Sequence, residues 1–269
     1  MENNNSIEKL FFDSKKSSIK GKKYFRVYEE ILSKYKNKDI TFVEIGVLNG
    51  GSLEIWKKFF GSNSRIIGID LNPECKKFEK DGVEIFIGNQ CDPSFWKAFF
   101  LKVGNVDVVL DDGGHTNLSQ ITTTVNTVNN INDGGMLIVE DTHTSYMTEF
   151  NNPSNYSFIN FSKKTIDDIN FTFFKSKKFK FSLNQFIYSI QFYESFTIFN
   201  INRNLCSQNK MIENSGKKFS HWDMREKGDE VNIAFLKKVF NFFNIKKVKK
   251  FTKYFKGKVN IGSLKKYFE

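Results

Sequence analysis

Short apolar runs that end on acidic residues or glycine recur along the first 200 positions of the chain. Five of them predict strands, at residues 41–46, 65–70, 83–88, 106–111 and 135–140. Apolar residues at helical spacing predict helices at 24–35, at 52–60 with Ser52 as N-terminal cap, at 93–101 and, more weakly, at 117–131. Strands that alternate with helices are typical of a parallel, doubly wound α/β sheet.

A different pattern follows the fifth strand. Residues 142–185 have no clear periodicity, and two further strands are then predicted at 186–190 and 195–201, joined by a turn over residues 191–194. Strands joined by so short a turn run antiparallel. We therefore predict an N-terminal helical segment (1–38), an α/β domain (39–203) closed by an antiparallel edge hairpin, and a C-terminal extension (204–269).

The net charge of +11 is concentrated in that extension, since residues 231–269 hold eleven lysines and one acid. A nucleic-acid enzyme usually carries positive charge around its cleft, so this distribution disfavours a nucleic-acid partner. Aromatic residues alternate with the lysines, which favours helices that pack on the body of the protein. Peripheral contact with an anionic membrane through the same tail is the open alternative.

The cysteines and the N-terminus indicate a cytoplasmic protein. The three cysteines show no C-x-x-C spacing, which disfavours a disulfide framework and a zinc site. No apolar run is long enough to span a membrane, and the first residues lack the features of a signal peptide.

Two neighbouring strands end on paired carboxylates. The fourth predicted strand runs into Asp111, Asp112, two glycines and His115, and the fifth runs into Glu140 and Asp141. The carboxyl ends of adjacent parallel strands meet at one edge of a sheet, so these side chains should share a crevice. Carboxylates that repel one another favour a bound cation, and the pattern predicts a catalytic metal site.

The loop after the first strand indicates the cofactor. A dinucleotide-binding G-x-G-x-x-G that starts at Gly46 would need glycine at position 48, where the chain has leucine. Glu44 would repel a pyrophosphate, but it would attract the ammonium and sulfonium groups of S-adenosylmethionine.

The next two strand ends supply further candidate cofactor contacts. Asp70 could accept hydrogen bonds from both ribose hydroxyls, and Asn89 and Gln90 could line the adenine. Each could instead be an ordinary turn or cap residue, but their joint position at successive strand ends favours a cofactor site.

Together these motifs, with Ser189–Ser195, resemble the class I methyltransferases that act on sugar hydroxyls, above all the metal-dependent macrolide-sugar O-methyltransferases, which are often grouped with cephalosporin-hydroxylase-like proteins. The resemblance covers about residues 40–200. It implies a Rossmann-like seven-stranded methyltransferase sheet and S-adenosylmethionine and Mg²⁺ as cofactors. The site residues that it implies are the cofactor contacts Glu44, Gly46, Asp70, Asn89, Gln90 and Asp111, the metal ligands Asp112, Glu140 and Asp141, and the catalytic pair Asp112 and His115.

The chain departs from the family pattern at two places. Asn89 stands where a carboxylate is common, and Thr142–Thr144 adds a histidine outside the pattern. We treat His143 and Tyr146 as candidate substrate contacts, with a structural role as the alternative for His143.

The implied reaction is methyl transfer to a sugar hydroxyl of a surface polysaccharide or glycoside. A divalent cation and His115 would together remove the hydroxyl proton. The acceptor would be a sugar, nucleotide sugar or glycan, and a homo-oligomer stays open. The alternatives are a metal-independent methyltransferase of the same fold, or a non-catalytic binding protein that uses the basic tail.

Overall fold

A mixed β-sheet forms the centre of the unit that spans residues 1–209. The computed structural model describes residues 6–80, 82–150, 155–170, 181–207, 210 and 212–216. In this part of the chain seven strands form one sheet in the order β3-β2-β1-β4-β5-β7-β6. They are β1 (Thr41–Ile45), β2 (Arg65–Asp70), β3 (Val83–Ile87), β4 (Val106–Asp111), β5 (Ile131–Val139), β6 (Ile187–Tyr193) and β7 (Phe196–Ile201). The first five are parallel, and β7 runs antiparallel to both β5 and β6.

Helices cover both faces of the sheet. The α-helices among the described residues are α1 (Ile7–Phe12), α2 (Tyr24–Leu32), α3 (Gly51–Phe60), α4 (Pro93–Val103), α5 (Asn117–Thr127) and α6 (Phe158–Ile169). Short 3₁₀ turns occupy Ser33–Tyr35, Pro73–Phe78, Val128–Asn130, Thr142–Tyr146, Thr148–Phe150 and Arg203–Cys206. Apolar residues of α1, α2 and α3 pack on one face, and those of α4, α5 and α6 pack on the other.

The predicted doubly wound sheet and its edge hairpin are confirmed, and three details of the prediction are wrong. The hairpin turn is Glu194–Ser195, because the pairs Phe192–Thr197 and Tyr193–Phe196 extend the ladder. The sequence pattern gave no sign of α6. Gly50, in the left-handed conformation, precedes α3 in place of the predicted cap Ser52, whose hydroxyl donates to Glu44.

The N-terminal segment shares a core with the sheet. Phe25, Tyr28 and Leu32 of α2 are buried in the same cluster as Phe42 of β1. The chain divides into two compact units, Met1–Asn209 and Lys210–Glu269. Residues 6–38 therefore belong to the unit that contains the sheet.

Three further predictions concern the basic tail, the cysteines and membrane-spanning segments. The helical tail predicted from residue 231 onward lies outside the described residues. All three cysteines are free, as predicted. No helix in the described ranges combines the length and the apolar character needed to cross a bilayer.

Gly46 lets the end of β1 approach the end of β4. Its φ is +95°, and a Cβ at this position would lie 2.0 Å from the carbonyl oxygen of Asp112. Only glycine fits this close approach. The glycine loop and the β4 carboxylates therefore border the same opening.

Candidate active site

A cavity of about 810 Å³, which we call the strand-edge cavity, opens at the carboxyl edge of the parallel strands. Its walls come from the loops that follow β1, β2, β3, β4 and β5, where an open α/β sheet normally binds ligands. The predicted site residues on these walls are Gly46, Asp70, Asn89, Gln90, Asp112, His115 and Asp141. The fold thus brings together most of the cofactor, metal and catalytic residues that were predicted from the sequence.

Asp70 ties the glycine loop to the end of β2. One carboxylate oxygen accepts from the backbone N–H groups of Val47 (2.8 Å) and Leu48 (3.1 Å), and the other accepts from Asn72 (2.8 Å). Burial raises the pKa of Asp70, but these backbone donors outweigh it and leave the pKa below its ordinary value. Asp70 is thus a fixed anion, and its remaining lone pairs point to a role in binding hydroxyl groups.

Gln90 and Asp111 brace the loop after β4. The Gln90 amide donates to Asp111 (2.9 Å) and Thr123 (3.0 Å), and its oxygen accepts from the N–H of Gly114 (2.8 Å). Asp111 is 1% exposed and does not line the cavity, and burial raises its pKa. Gln90 reaches the cavity wall and Asp111 lies behind it, so the cofactor contact of Asp111 stays a prediction.

Glu44 lies behind the glycine loop. It is fully buried, accepts from the Ser52 hydroxyl (2.6 Å) and the Trp56 indole (3.0 Å), and is absent from the cavity wall. Burial, reinforced by the charge of Asp112, raises its pKa to about 7. In the structure Glu44 supports the glycine loop through Ser52 and Trp56, and its contact with the cofactor ammonium stays a prediction.

Asp112, His115 and Asp141 form a group that could hold a metal ion. Each offers one ligand atom, and the three atoms lie within 4.8 Å of one another. The Nε2 atom of His115 lies 3.6 Å from an Asp141 oxygen and 3.9 Å from an Asp112 oxygen. His115 Nδ1 has no hydrogen-bond partner among the described residues. Two hard oxygen donors and an imidazole suit a divalent cation.

Two residues of this group have left-handed backbone conformations. The φ angles are +51° for His115 and +56° for Asp141. Such angles are uncommon for residues with a side chain, and they concentrate at functional sites. Here they turn both side chains toward the same point.

The sequence interpretation missed a lysine within the carboxylate cluster. The Lys20 ammonium donates to Asp112 and to both oxygens of Glu140, at 3.2 and 3.1 Å. Burial lowers the pKa of Lys20, but Glu140 and Asp112 outweigh it and raise the pKa overall.

Glu140 is the most deeply buried member of the cluster. Burial raises its pKa to about 8, and the charges of Asp112 and Asp141 add to the shift. The two pKa values rise for different reasons, burial in the case of Glu140 and neighbouring negative charge in the case of Lys20. The Lys20 ammonium contacts two of the three carboxylates, so it balances only part of their charge.

Two tyrosines of α2 also reach the carboxylates. The Tyr28 hydroxyl donates to Glu140, and the Tyr24 hydroxyl donates to Asp141. Tyr24 and Tyr28 stand four residues apart, so they lie on one face of the helix. That spacing was the one sequence signal that could have linked α2 to the site.

A second cavity, of about 830 Å³, is lined by Thr142, which follows Asp141 in the chain, and by residues of the edge hairpin. The predicted substrate contacts His143 and Tyr146 both line it, together with Phe192, Tyr193 and Glu194 of the hairpin. Tyr146 is 64% exposed, and His143 Nδ1 lies 3.8 Å from Asp141. The aromatic wall suits an acceptor that offers an apolar or sugar-ring face.

The sequence is similar to curated O-methyltransferases. It is 27% identical over 164 residues to the 8-demethyl-8-alpha-L-rhamnosyl tetracenomycin-C 2'-O-methyltransferase of Streptomyces olivaceus, and the match covers 57% of this chain and 43% of that protein. It is 29% identical over 134 residues to the demethylmacrocin O-methyltransferase of Streptomyces fradiae, covering 47% and 33%. The match thus spans less than half the length of either relative. No family model matches the chain.

Solved structures of a methyltransferase share the fold. The MycE methyltransferase from the mycinamycin biosynthetic pathway, in complex with Mg and SAH, aligns with a TM-score of 0.65 and 23% identity over 76% of this chain and 56% of that one. Its complex with Mg, SAH and mycinamycin VI gives 0.65 and 24% over 75% and 54%. The predicted class I methyltransferase fold is confirmed.

Proposed function

We propose that this chain is an S-adenosylmethionine-dependent O-methyltransferase that acts on a sugar hydroxyl of a glycoside or surface polysaccharide, with metal-assisted deprotonation. The observation that carries the proposal is the group Asp112, His115 and Asp141, which lines the strand-edge cavity and is followed along the chain by Thr142 and His143 of the second cavity. The relatives support it, because one is named for 2'-O-methylation of a rhamnosyl compound.

S-adenosylmethionine would occupy the first cavity. Asp70 would accept from the ribose hydroxyls, and the loop from Gly46 would face the methionine portion. Asn89 and Gln90 lie beyond Asp70 on the same wall, where they would meet the adenine. The cavity volume of about 810 Å³ lies within the range of small-molecule sites.

The carboxylates fit a divalent cation. Asp112, Glu140 and Asp141 would hold Mg²⁺, and two of them already hold a cation, the Lys20 ammonium. When bound, the cation lowers the pKa of a neighbouring sugar hydroxyl.

His115 would act as the general base. Its Nε2 atom faces Asp112 and Asp141, whose negative charge stabilises the imidazolium that forms when the ring takes the hydroxyl proton. The sugar oxygen then attacks the methyl carbon as the carbon–sulfur bond breaks, which leaves the neutral thioether S-adenosylhomocysteine. Alignment of oxygen, carbon and sulfur between the two cavities supplies much of the remaining rate enhancement.

The acceptor would enter through the second cavity, with His143 and Tyr146 beside its sugar. A sugar, nucleotide sugar or glycan fits this site, and we place the reaction in the cytoplasm. Lys20 supports a second candidate function, a metal-independent transferase of the same fold, because its ammonium already neutralises part of the cluster.

The test is methyl transfer from labelled S-adenosylmethionine to a panel of rhamnosylated and other hexosyl acceptors, with Mg²⁺ or with excess chelator. We expect transfer that needs the metal, and calorimetric binding of S-adenosylhomocysteine but not of NAD. Full activity in chelator would support the metal-independent candidate. Binding of NAD without any response to S-adenosylhomocysteine would refute both.

A further inference from the structure

We propose that Lys20 is an internal counter-cation that competes with a divalent cation for Asp112 and Glu140. The inference rests on the metal site proposed above. It adds a residue that the proposed reaction does not use.

The Lys20 ammonium already occupies the oxygens that a metal would need. Its three hydrogen bonds go to one oxygen of Asp112 and to both oxygens of Glu140. An ammonium has three donors, so this set is complete. The side chains of Lys20 and Glu140 are 3% and 2% exposed. Lys20 therefore lies inside the cluster and is not a surface lysine that folded over it.

A metal ion and Lys20 cannot share these oxygens. Divalent cations sit about 2.0–2.6 Å from oxygen ligands. An ammonium held by the same oxygens would then lie within a few ångströms of the metal, where two positive charges repel strongly in a buried site. Occupation by one cation therefore lowers the affinity for the other.

Two of the three carboxylates face the strand-edge cavity, so a metal ion can enter the cluster from that side. Asp141 faces His115, His143 and Tyr24, and none of these contacts involves Lys20. Asp112 and Asp141 line the strand-edge cavity, whereas Glu140 does not. An entering cation thus meets Asp112 and Asp141 first, and it can reach Glu140 only by displacing Lys20.

The backbone around Lys20 permits such a displacement. Residues 14–21 lie between α1 and α2 and form no regular helix or strand. This stretch crosses the start of α3, where a Cβ on Gly51 would come within 2.5 Å of the Ser17 carbonyl oxygen. Lys20 can therefore withdraw without unwinding a helix. Because Ile19 lines the strand-edge cavity, the same movement would change a wall of the proposed cofactor site.

The first experiment uses the wild-type full chain without cofactor or acceptor. An amine-acylating reagent is applied across a Mn²⁺ titration, and the labelling of each lysine is read by mass spectrometry. We expect Lys20 to be nearly unreactive without metal and to gain at least about fivefold in labelling at saturation. Lys23, whose side chain is 80% exposed, is the internal control and should not change. Constant labelling of Lys20 while Mn²⁺ binds would overturn the inference.

The second experiment measures Mn²⁺ affinity by electron paramagnetic resonance in Lys20→Met and in the matched control Lys23→Met. The first should bind Mn²⁺ at least about tenfold more tightly than wild type, and the control should equal wild type. Equal or weaker binding in Lys20→Met would overturn the inference, and if that variant does not fold, the labelling experiment decides. If neither the wild type nor Lys20→Met binds Mn²⁺, the inference fails together with metal assistance, and methyl transfer in chelator then shows whether transferase activity survives.

Discussion

At the scale of single residues, Asp70 combines two tasks in one carboxylate. Its oxygens accept three backbone N–H groups, and the same oxygens would accept the ribose hydroxyls. In Asp70→Asn an amide NH₂ would face at least one of those N–H donors. We expect S-adenosylhomocysteine affinity to fall by about 10- to 100-fold, since hydrogen bonds to charged groups contribute about 1.5–3 kcal/mol. Calorimetry is the measurement. Asp92→Asn, at the cap of α4, is the control and should bind normally.

His115 requires a substitution that keeps its left-handed backbone. Asparagine tolerates that conformation better than alanine, so His115→Asn removes the imidazole with little backbone strain. We expect single-turnover methyl transfer to fall by roughly two to four orders of magnitude, with S-adenosylhomocysteine affinity preserved. A variant that keeps the wild-type rate would assign the base elsewhere. His143→Asn, tested in parallel, shows whether the neighbouring histidine is that base.

Glu44 makes the stability of the fold depend on pH. Its pKa rises from 4.5 to about 7 on folding, so the folded state binds the proton more tightly and loses stability as pH rises from about 4.5 to 7. Glutamine mimics the protonated form. We expect Glu44→Gln to match wild type near pH 4 and to exceed it near pH 8 by on the order of 3 kcal/mol. Denaturant unfolding at both pH values tests this. Glu54→Gln, at a partly exposed position on α3, should not show the rise.

At the scale of elements, the contact between the β1 loop and the end of β4 holds the two halves of the site together. A Cβ at position 46 would collide with the Asp112 carbonyl and would also force alanine to adopt a positive φ. Gly46→Ala should lower the free energy of unfolding by about 3 kcal/mol and abolish cofactor binding. Thermal unfolding and calorimetry measure both effects. Gly114→Ala, where a Cβ would meet its neighbours at 3.5 Å, should unfold close to wild type.

The strands were predictable from the sequence where their residues are apolar on both faces, as residues 108–110 of β4 and 136–139 of β5 show. Helix α6 was not, because its buried face includes Ser162, Thr165 and Asp168, which break the apolar periodicity. The hairpin turn was misplaced because the last residues of β6 are not buried. Phe192 and Tyr193 are partly exposed strand residues, and no local pattern indicates that the ladder continues through them.

At the scale of the whole molecule, the sequence predicted the edge of the sheet that carries the site but not what closes it. Asp112, His115 and Asp141 could be predicted because they follow the ends of the fourth and fifth predicted strands. Lys20 is one of five lysines between residues 15 and 23, and nothing local distinguishes it from the others. Its role follows from contacts with residues 92 and 120 positions away, and only the tertiary structure shows these contacts.

The basic tail should not be needed for chemistry. The described residues that line the two cavities all lie between positions 19 and 195, whereas the excess charge lies after residue 231. We therefore expect removal of residues 244–269 to leave methyl transfer to a soluble acceptor within about twofold of the full chain. The comparison of initial rates is the measurement. A truncated protein that folds but transfers no methyl group would make the tail part of the active site.

The long separation between Lys20 and its carboxylates has a consequence for how the protein is made. Lys20 leaves the ribosome 120 residues before Glu140. At about 5–20 residues per second, that interval lasts roughly 6 to 24 s. For the first 92 residues of that interval Lys20 has neither carboxylate, and Asp112 is then present without Glu140. The carboxylate cluster can thus close only after five strands have been synthesised. The buried hydroxyl of Tyr28 gains its partner Glu140 only at that point, so the polar contacts that tie α2 to this edge of the sheet form late in synthesis.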